Sequence, residues 1–393
     1  MSLVRRIGRK IVRIKVLLCL FAAILAVPGW SAEGAPALAA SAPVCGRGDH
    51  GLLKGLQEKR MNADGSSLSF NDIQFLGAAI GRAAGNGFMI GTSDAGCTFQ
   101  TIYEGQWSFR DIDFPDNVYG WALASVQEGQ LVYLIRTTDG GSHWKRLSAG
   151  PVSFRKIQFT DRRHGFAYDW AFAYYTADGG ASWSKIPTPS NTRGAVFTSR
   201  SSGWAVTVAP GTGYRVMKTV DGGTNWALKL KSAFSYPVGA EIYEGGSQVW
   251  ALLYGESGMS QTSYSLYASA DGGGKWRRVI AQSTAGGGPA PGSGNEGLAK
   301  GPVSGKPGNM QLAGGGAFLL GYSPAGDQVG VGRSYTGGKQ WRNLPGLPGA
   351  GGVISFTGAK EGWLAVRGLE QSSLYATHDG GSTWERKLFF KTK

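Results

Sequence analysis

Cysteine is scarce in this chain of 393 residues, with Cys19, Cys45 and Cys97 the whole supply. No metal site can be built from them. Charged residues are also few, at 17%, while aromatics reach 11%. A disordered chain has the opposite balance, poor in aromatics and rich in charge. The four histidines (His50, His143, His164 and His378) show no metal-ligand spacing, and no Ser-His-Asp set can be assembled around them. No Lys/Arg block is dense enough to grip nucleic acid. Glycine is what the chain has in excess: 64 residues without a collagen-like period. A soluble helical bundle would not tolerate that density. The class left is many short strands, joined by glycine turns and packed through aromatics.

Residues 1–15 carry Arg5, Arg6, Arg9, Lys10, Arg13 and Lys15 with no acid, and an apolar run follows from Val16 to Val27. That run is shorter than the ~20 residues of a membrane-spanning helix. It has the layout of an export signal, ended by Pro28-Gly29. Residues 1–40 are therefore assigned as a signal, with cleavage open after Gly34 or Ala39, and 41–66 as an N-terminal extension. The protein is expected outside the cytoplasmic membrane, in an extracellular, periplasmic or lumenal space, rather than anchored by an uncleaved signal. Residues 1–40 hold six bases and one acid, a net of +5, so the mature chain keeps +9 of the formal +14. Such a field favours acidic partners. In an oxidising compartment Cys45 and Cys97 are expected to form a disulfide; two separate thiols are the alternative.

The chain repeats an eight-residue pattern. Thr137-Thr138-Asp139-Gly140-Gly141-Ser142-His143-Trp144 is one copy, and the others centre on Asp94, Asp178, Asp221, Asp271, Thr336 and Asp379. Successive copies are 45, 39, 43, 50, 65 and 43 residues apart. A period near 40–45 is that of a four-stranded propeller blade. A second motif keeps step: an aromatic six residues before a glycine, as in Phe114 and Gly120-Trp121-Ala122, Phe159 and Gly165, Phe197 and Gly203, Phe356 and Gly362. The expected fold is all-β: a seven-bladed β-propeller of four-stranded antiparallel blades over 67–391. Residues 281–307, rich in Gly and Pro, read as a flexible insertion. In each turn the carboxylate (Asp94, Asp139, Asp178, Asp221, Asp271, Asp379) is placed to accept N–H bonds from its own turn, and the Trp to pack between blades. Thr336 replaces Asp in one copy and Phe99 replaces Trp in another. A redundant structural repeat can spare such residues; a reaction could not.

The Ser/Thr-x-Asp-x-Gly-x-Ser/Thr-Trp pattern resembles the Asp box, or BNR repeat, of sialidases, certain glucanases and sortilin-type receptors. Paired with an upstream Gly-Trp-Ala strand over 67–391, it is most similar to the photosystem II stability/assembly factor family. That resemblance implies an exported, non-enzymatic scaffold that binds a membrane-protein partner during assembly. The 281–307 insertion and Thr336 depart from the pattern.

The arginine triad and Tyr/Glu pair of a sialidase are missing. Asp72 and Asp111 occupy equivalent places in adjacent repeats, so a carboxylate pair stays open as a minor reading. One constellation remains. Four residues before the aligned aromatic stand Arg110, Arg155 and Arg193 in three consecutive repeats, with Asn71 before them and Gly239 and Gly352 elsewhere. At the opening of each inner strand they would form a basic arc at the channel mouth, suited to carboxylates. Local pairing with acids such as Asp111 or Asp113 is the alternative. The expected function is a protein-binding or assembly scaffold whose partner is a protein, a membrane protein with an acidic segment being the example considered. The alternative is a glycan-binding or glycoside-hydrolase-type propeller. No cofactor, metal or nucleic acid is expected, and the chain is expected to be a monomer.

Overall fold

The computed structural model describes residues 68–126, 131–294, 297–368 and 371–391, with 52, 54–56 and 58. The chain divides into two compact units, Met1–Ala42 and Pro43–Lys393, and the described residues belong to the second. The signal assigned to 1–40 and Cys45 lie outside the described residues.

All described sheets are antiparallel, with strands of each sheet consecutive in sequence. They span 70–146, 156–186, 192–233, 239–282, 306–348 and 351–391. The structure is thus an all-β propeller with six blades, where the repeat count predicts seven. The reason lies in one strand. Gln100–Asp113 runs unbroken for 14 residues. Its first part pairs with Gly81–Thr92 and its last part with Gly120–Ser125, so the first two repeats merge into a six-stranded sheet. Every other junction between repeats contains proline (Pro151, Pro187, Pro237, Pro289, Pro345), which cannot donate to a strand ladder. This junction has none. The blade of 306–348 also gains a fifth strand, as Leu347–Pro348 pairs with Gln328–Ser334.

The two repeating motifs explain each other. In five repeats the aromatic that ends the inner strand lies over the glycine that opens the second strand (Phe75 on Gly81, Phe114 on Gly120, Phe159 on Gly165, Phe197 on Gly203, Phe356 on Gly362). A Cβ on Gly120 would meet the Phe114 ring at 2.2 Å, and on Gly203 the Phe197 ring at 2.4 Å. The second residue of the second strand, after that glycine or after Ala317, then reaches the aromatic of the following repeat in several seams. Trp121 stacks on Phe159 with centroids 3.8 Å apart, Phe318 on Phe356 at 3.7 Å, and Phe166 on Phe197 at 5.7 Å. Arg82 takes the tryptophan position in the first repeat, its guanidinium 4.2 Å over Phe114. The ring closes by the same contact, Trp363 against Phe75 at 4.0 Å, with no strand exchanged between termini. Leu56, in the helical part of the N-terminal extension, is buried in this closing cluster.

The repeated turn lies at the end of each blade where the inner strand finishes, because Phe159 pairs with Gly165 and Gly165 with Thr176. Within it, the Asp178 carboxylate accepts from the Thr176 hydroxyl and the Ser182 amide, and Thr176 Oγ1 accepts from Gly180 N. The Ser182 hydroxyl and amide hold Asp178 down at about 2. At the copy without an aspartate, Thr336 Oγ1 accepts from Gln340 N at 2.9 Å, so a hydroxyl replaces the carboxylate. Gly179 and Gly180 carry φ of 72° and 88°, which only glycine adopts freely. The turn tryptophan Trp226 is half-buried, whereas Trp121, Trp204 and Trp250 of the second strands are fully buried.

The described residues of 281–307, a segment expected as a flexible insertion, fold back on the 239–282 blade. Arg278 donates to Ser265 Oγ and to the Ala290, Ser293 and Gly294 carbonyls, and Gln282 Oε1 accepts from Gly301 N. Ala290 and Val303 are buried.

Trp121→Ala is expected to cost about 3–5 kcal/mol, the range for large buried side chains, and Trp226→Ala clearly less. Urea denaturation midpoints of the two variants check this, and an equal loss would contradict the seam assignment.

Candidate functional site

The inner strands of the seven repeats converge on a cavity of about 560 Å³, which Tyr168 and Asp169 also line. Each inner strand bonds a neighbour on its outer side only, so its inward N–H groups need other acceptors. Side chains of the preceding repeat supply them. Asp72 Oδ2 accepts from Ile112 N at 2.8 Å and Gln74 Oε1 from Phe114 N at 2.7 Å. Asp111 Oδ2 accepts from Ile157 N at 2.7 Å, and Asp113 from Phe159 N. Asn309 Oδ1 accepts from Ile354 N at 3.0 Å, and Ser355 Oγ from Phe75 N at 3.0 Å across the closure. Two repeats solve the problem differently. Tyr168 Oη accepts from Phe197 N at 2.9 Å. At Gly194 the backbones approach directly, since a Cβ there would lie 2.4 Å from the Ala240 carbonyl oxygen.

Asp72 and Asp111, which the sequence leaves open as an acid/base pair, are thereby engaged with the next inner strand. Sequence reasoning overlooked this edge-capping role. Its signal was present as polar residues three and one before the aligned aromatic, or before Leu312 in its place: Asp72/Gln74, Asp111/Asp113, Asn309/Gln311. All three aspartates are half-buried towards the cavity. Burial outweighs their N–H bonds, raising Asp111 to about 6 and Asp113 to about 7; burial and then the charge of Asp111 raise Asp72 well above its usual range. Deeper along the wall, Glu241 accepts from the Tyr243 and Tyr254 hydroxyls. Lys156 Nζ lies 5.5 Å from the Tyr243 ring, a contact between two non-adjacent repeats.

The arginines lie at the other end of the inner strands from the repeated turns. Arg155 and Arg193 line the cavity; Arg110 is exposed and does not. Asn71, Arg110 and Arg193 each fall where the register shifts, between Phe70 and Asp72, Phe109 and Asp111, Thr192 and Gly194. An irregularity of this kind re-aims a side chain, which counting along the chain does not reveal. The Arg155 guanidinium stacks 3.4 Å over Trp170, and Arg193 Nη1 donates to the Thr192 carbonyl at 3.0 Å. Among the described residues, neither Arg155 nor Arg193 forms an ion pair. Cys97 is disulfide-bonded. No group of three His, Cys, Asp or Glu among the described residues could hold a metal ion. No helix among them is long and apolar enough to cross a membrane.

The class defined by this architecture is the β-propeller. No family model and no curated protein matches the chain. Among solved structures it is similar to YCF48 from Cyanidioschyzon merolae, 15% identical over 81% of this chain and 97% of that one, TM-score 0.51. A structure of YCF48 bound to D1 peptide is 16% identical over 80% and 92%, TM-score 0.48. A prolyl endopeptidase is 10% identical over 83% of this chain and 50% of that one, TM-score 0.50. At these identities the likeness concerns the fold, which both enzymatic and non-enzymatic proteins share.

The raised aspartates bind more protons folded than unfolded between about pH 4 and 7. The stability they contribute is therefore complete at the acidic end of that window and lost as pH rises through about 6 to 7. The turn aspartates Asp139, Asp178 and Asp379 act oppositely: their contribution is lost only as pH falls towards about 2. Asp113→Asn should flatten the fall in the urea midpoint between pH 5 and pH 8. An unchanged slope would show that Asp113 is not a source of it.

Proposed function

We propose that this propeller is a non-catalytic scaffold, acting outside the cytoplasmic membrane, that captures an acidic segment of a protein partner at its channel mouth. The supporting observation is the division of charge along the cavity. The acids Asp72, Asp111 and Asp113 are engaged with backbone N–H groups, while Arg155 and Arg193 line the same cavity without ion pairs among the described residues. Guanidinium groups so placed can bind carboxylates bidentately, and Arg110 on the adjacent repeat extends the basic arc. Cys45 is proposed as the partner of Cys97. The likeness to the Asp-box and photosystem II assembly-factor propellers belongs to this reading.

A second reading has its own observation. Trp170 is 63% exposed on the loop beside the cavity, and carboxylates line the wall below. A sugar ring stacking on that indole would make this a glycan-binding or glycoside-hydrolase-type propeller.

The test is capture from detergent-solubilised membranes by the full chain. Changing Arg110, Arg155 and Arg193 together to Ala should abolish capture of the partner while leaving the melting temperature near wild type. Capture should also weaken with salt, because exposed charges are screened within about 8 Å at physiological ionic strength. A triple variant that unfolds assigns the arginines to structure; one that still captures the same partner places binding elsewhere. Glycan-array binding lost on Trp170→Ala would favour the second reading.

A further inference from the structure

We infer that one sector of the face opposite the repeated turns docks on an anionic phospholipid bilayer, a step beyond the capture of a protein partner. The observation is where the exposed large apolar side chains fall. Leu131, Trp170, Phe172, Tyr236, Val238 and Met259 sit in four loops at the strand ends opposite the turns, between 126 and 261, while the intervening loops of that face at 147–155, 186–192 and 209–213 carry none. Trp170 is 63% exposed, Tyr236 67% and Met259 100%. Loops at the same strand ends in 323–328 and in the described part of 367–371 present no such residue. The apolar tips therefore overlap the arc that carries Arg110, Arg155 and Arg193, and Met259 extends it into the repeat that opens with Gly239.

These tips are held in place. Asp169 Oδ1 accepts from Ala171 N at 2.8 Å and Phe172 N at 2.7 Å, and its Oδ2 from the Tyr174 hydroxyl at 2.9 Å, which sets the Trp170–Phe172 loop. Tyr214 Oη accepts from Val238 N at 2.9 Å beside Tyr236. Two of the aromatics carry a cation on the ring: Arg155 at 3.4 Å over Trp170 and Lys185 Nζ at 3.0 Å over Phe172. Amphipathic aromatics beside Lys and Arg are the chemistry of a membrane–water interface, where the rings sit at headgroup level and the cations meet phosphates. A bilayer also fits the geometry better than a folded partner. Four separate projecting loops can enter a deformable surface together, whereas a protein would need a matching pocket for each. The opposite face also exposes Val118, Val220 and Tyr335, but there they stand among the turn carboxylates of Asp94, Asp139, Asp178, Asp221, Asp271 and Asp379, which an anionic surface repels.

Hydrogen exchange of the full chain tests this, with and without protein-free vesicles of phosphatidylglycerol and phosphatidylcholine. The readout is local, so any binding by the apolar run at 16–27 is seen separately. Several-fold slower exchange is expected at 169–172, 235–238 and 256–261, weaker in high salt and on pure phosphatidylcholine, with the repeated turns unchanged. Trp170→Ser, Tyr236→Ser and Met259→Ser combined should remove that protection while strand exchange stays as in wild type. The inference is overturned by protection confined to 1–40, by none, or by protection that the triple variant retains. It is equally overturned if these loops are protected only by solubilised membrane protein. Failure of the protein-capture reading is distinguishable, because that experiment contains no bilayer and reads the arginines.

Discussion

An inner strand at the axis of a propeller has one edge with no strand to bond. Everything around the cavity follows from that constraint. The inward N–H groups must be satisfied by the repeat before, so polar side chains accumulate where a core would otherwise be apolar. Asp72, Gln74, Asp111, Asp113, Asn309 and Ser355 do this for their neighbours. Packing of aromatics across the seams gives cohesion, but these bonds give each repeat its height relative to the next. They also line the interior with carboxylates, beside which Lys156 stands, while Arg155 and Arg193 lie towards the mouth.

A constraint of this kind can imitate an active site. Half-buried carboxylates with raised proton affinity, facing a cavity, are a common mark of catalysis. Here each is bonded to an amide of the next inner strand, and structural engagement explains the shift through burial. The arginines differ in kind. Arg110 and Arg193 fall at register shifts near the strand openings, and Arg155 is stacked on an exposed indole rather than paired with an acid. Arg155 and Arg193, which line the cavity and form no ion pair among the described residues, are the better candidates for binding.

Much of the fold was legible in the chain. The turn pattern announced hairpins at a blade-like period, and the coupling of Phe114 with Gly120 reflected a ring lying on a backbone that has no Cβ. Such local relations are written in sequence because each involves residues a few positions apart. Blade number was not legible in the same way. The repeat count gave seven, but whether Gln100–Asp113 breaks or continues depends on pairing with two partner strands at once.

What the sequence by itself determined, then, was the β class, the repeated turn with its carboxylate and glycines, and the order of the repeats. Those rest on φ preferences and short-range bonds, which neighbours in the chain settle. Tertiary structure alone decided that Asp72 and Asp111 cap amides some forty residues away, and that Arg155 and Arg193 line one cavity while Arg110 does not. It also decided that the exposed tips from Leu131 to Met259 share one face. The physical reason is that these relations form only when the ring closes, by Trp363 meeting Phe75 from the far end of the chain.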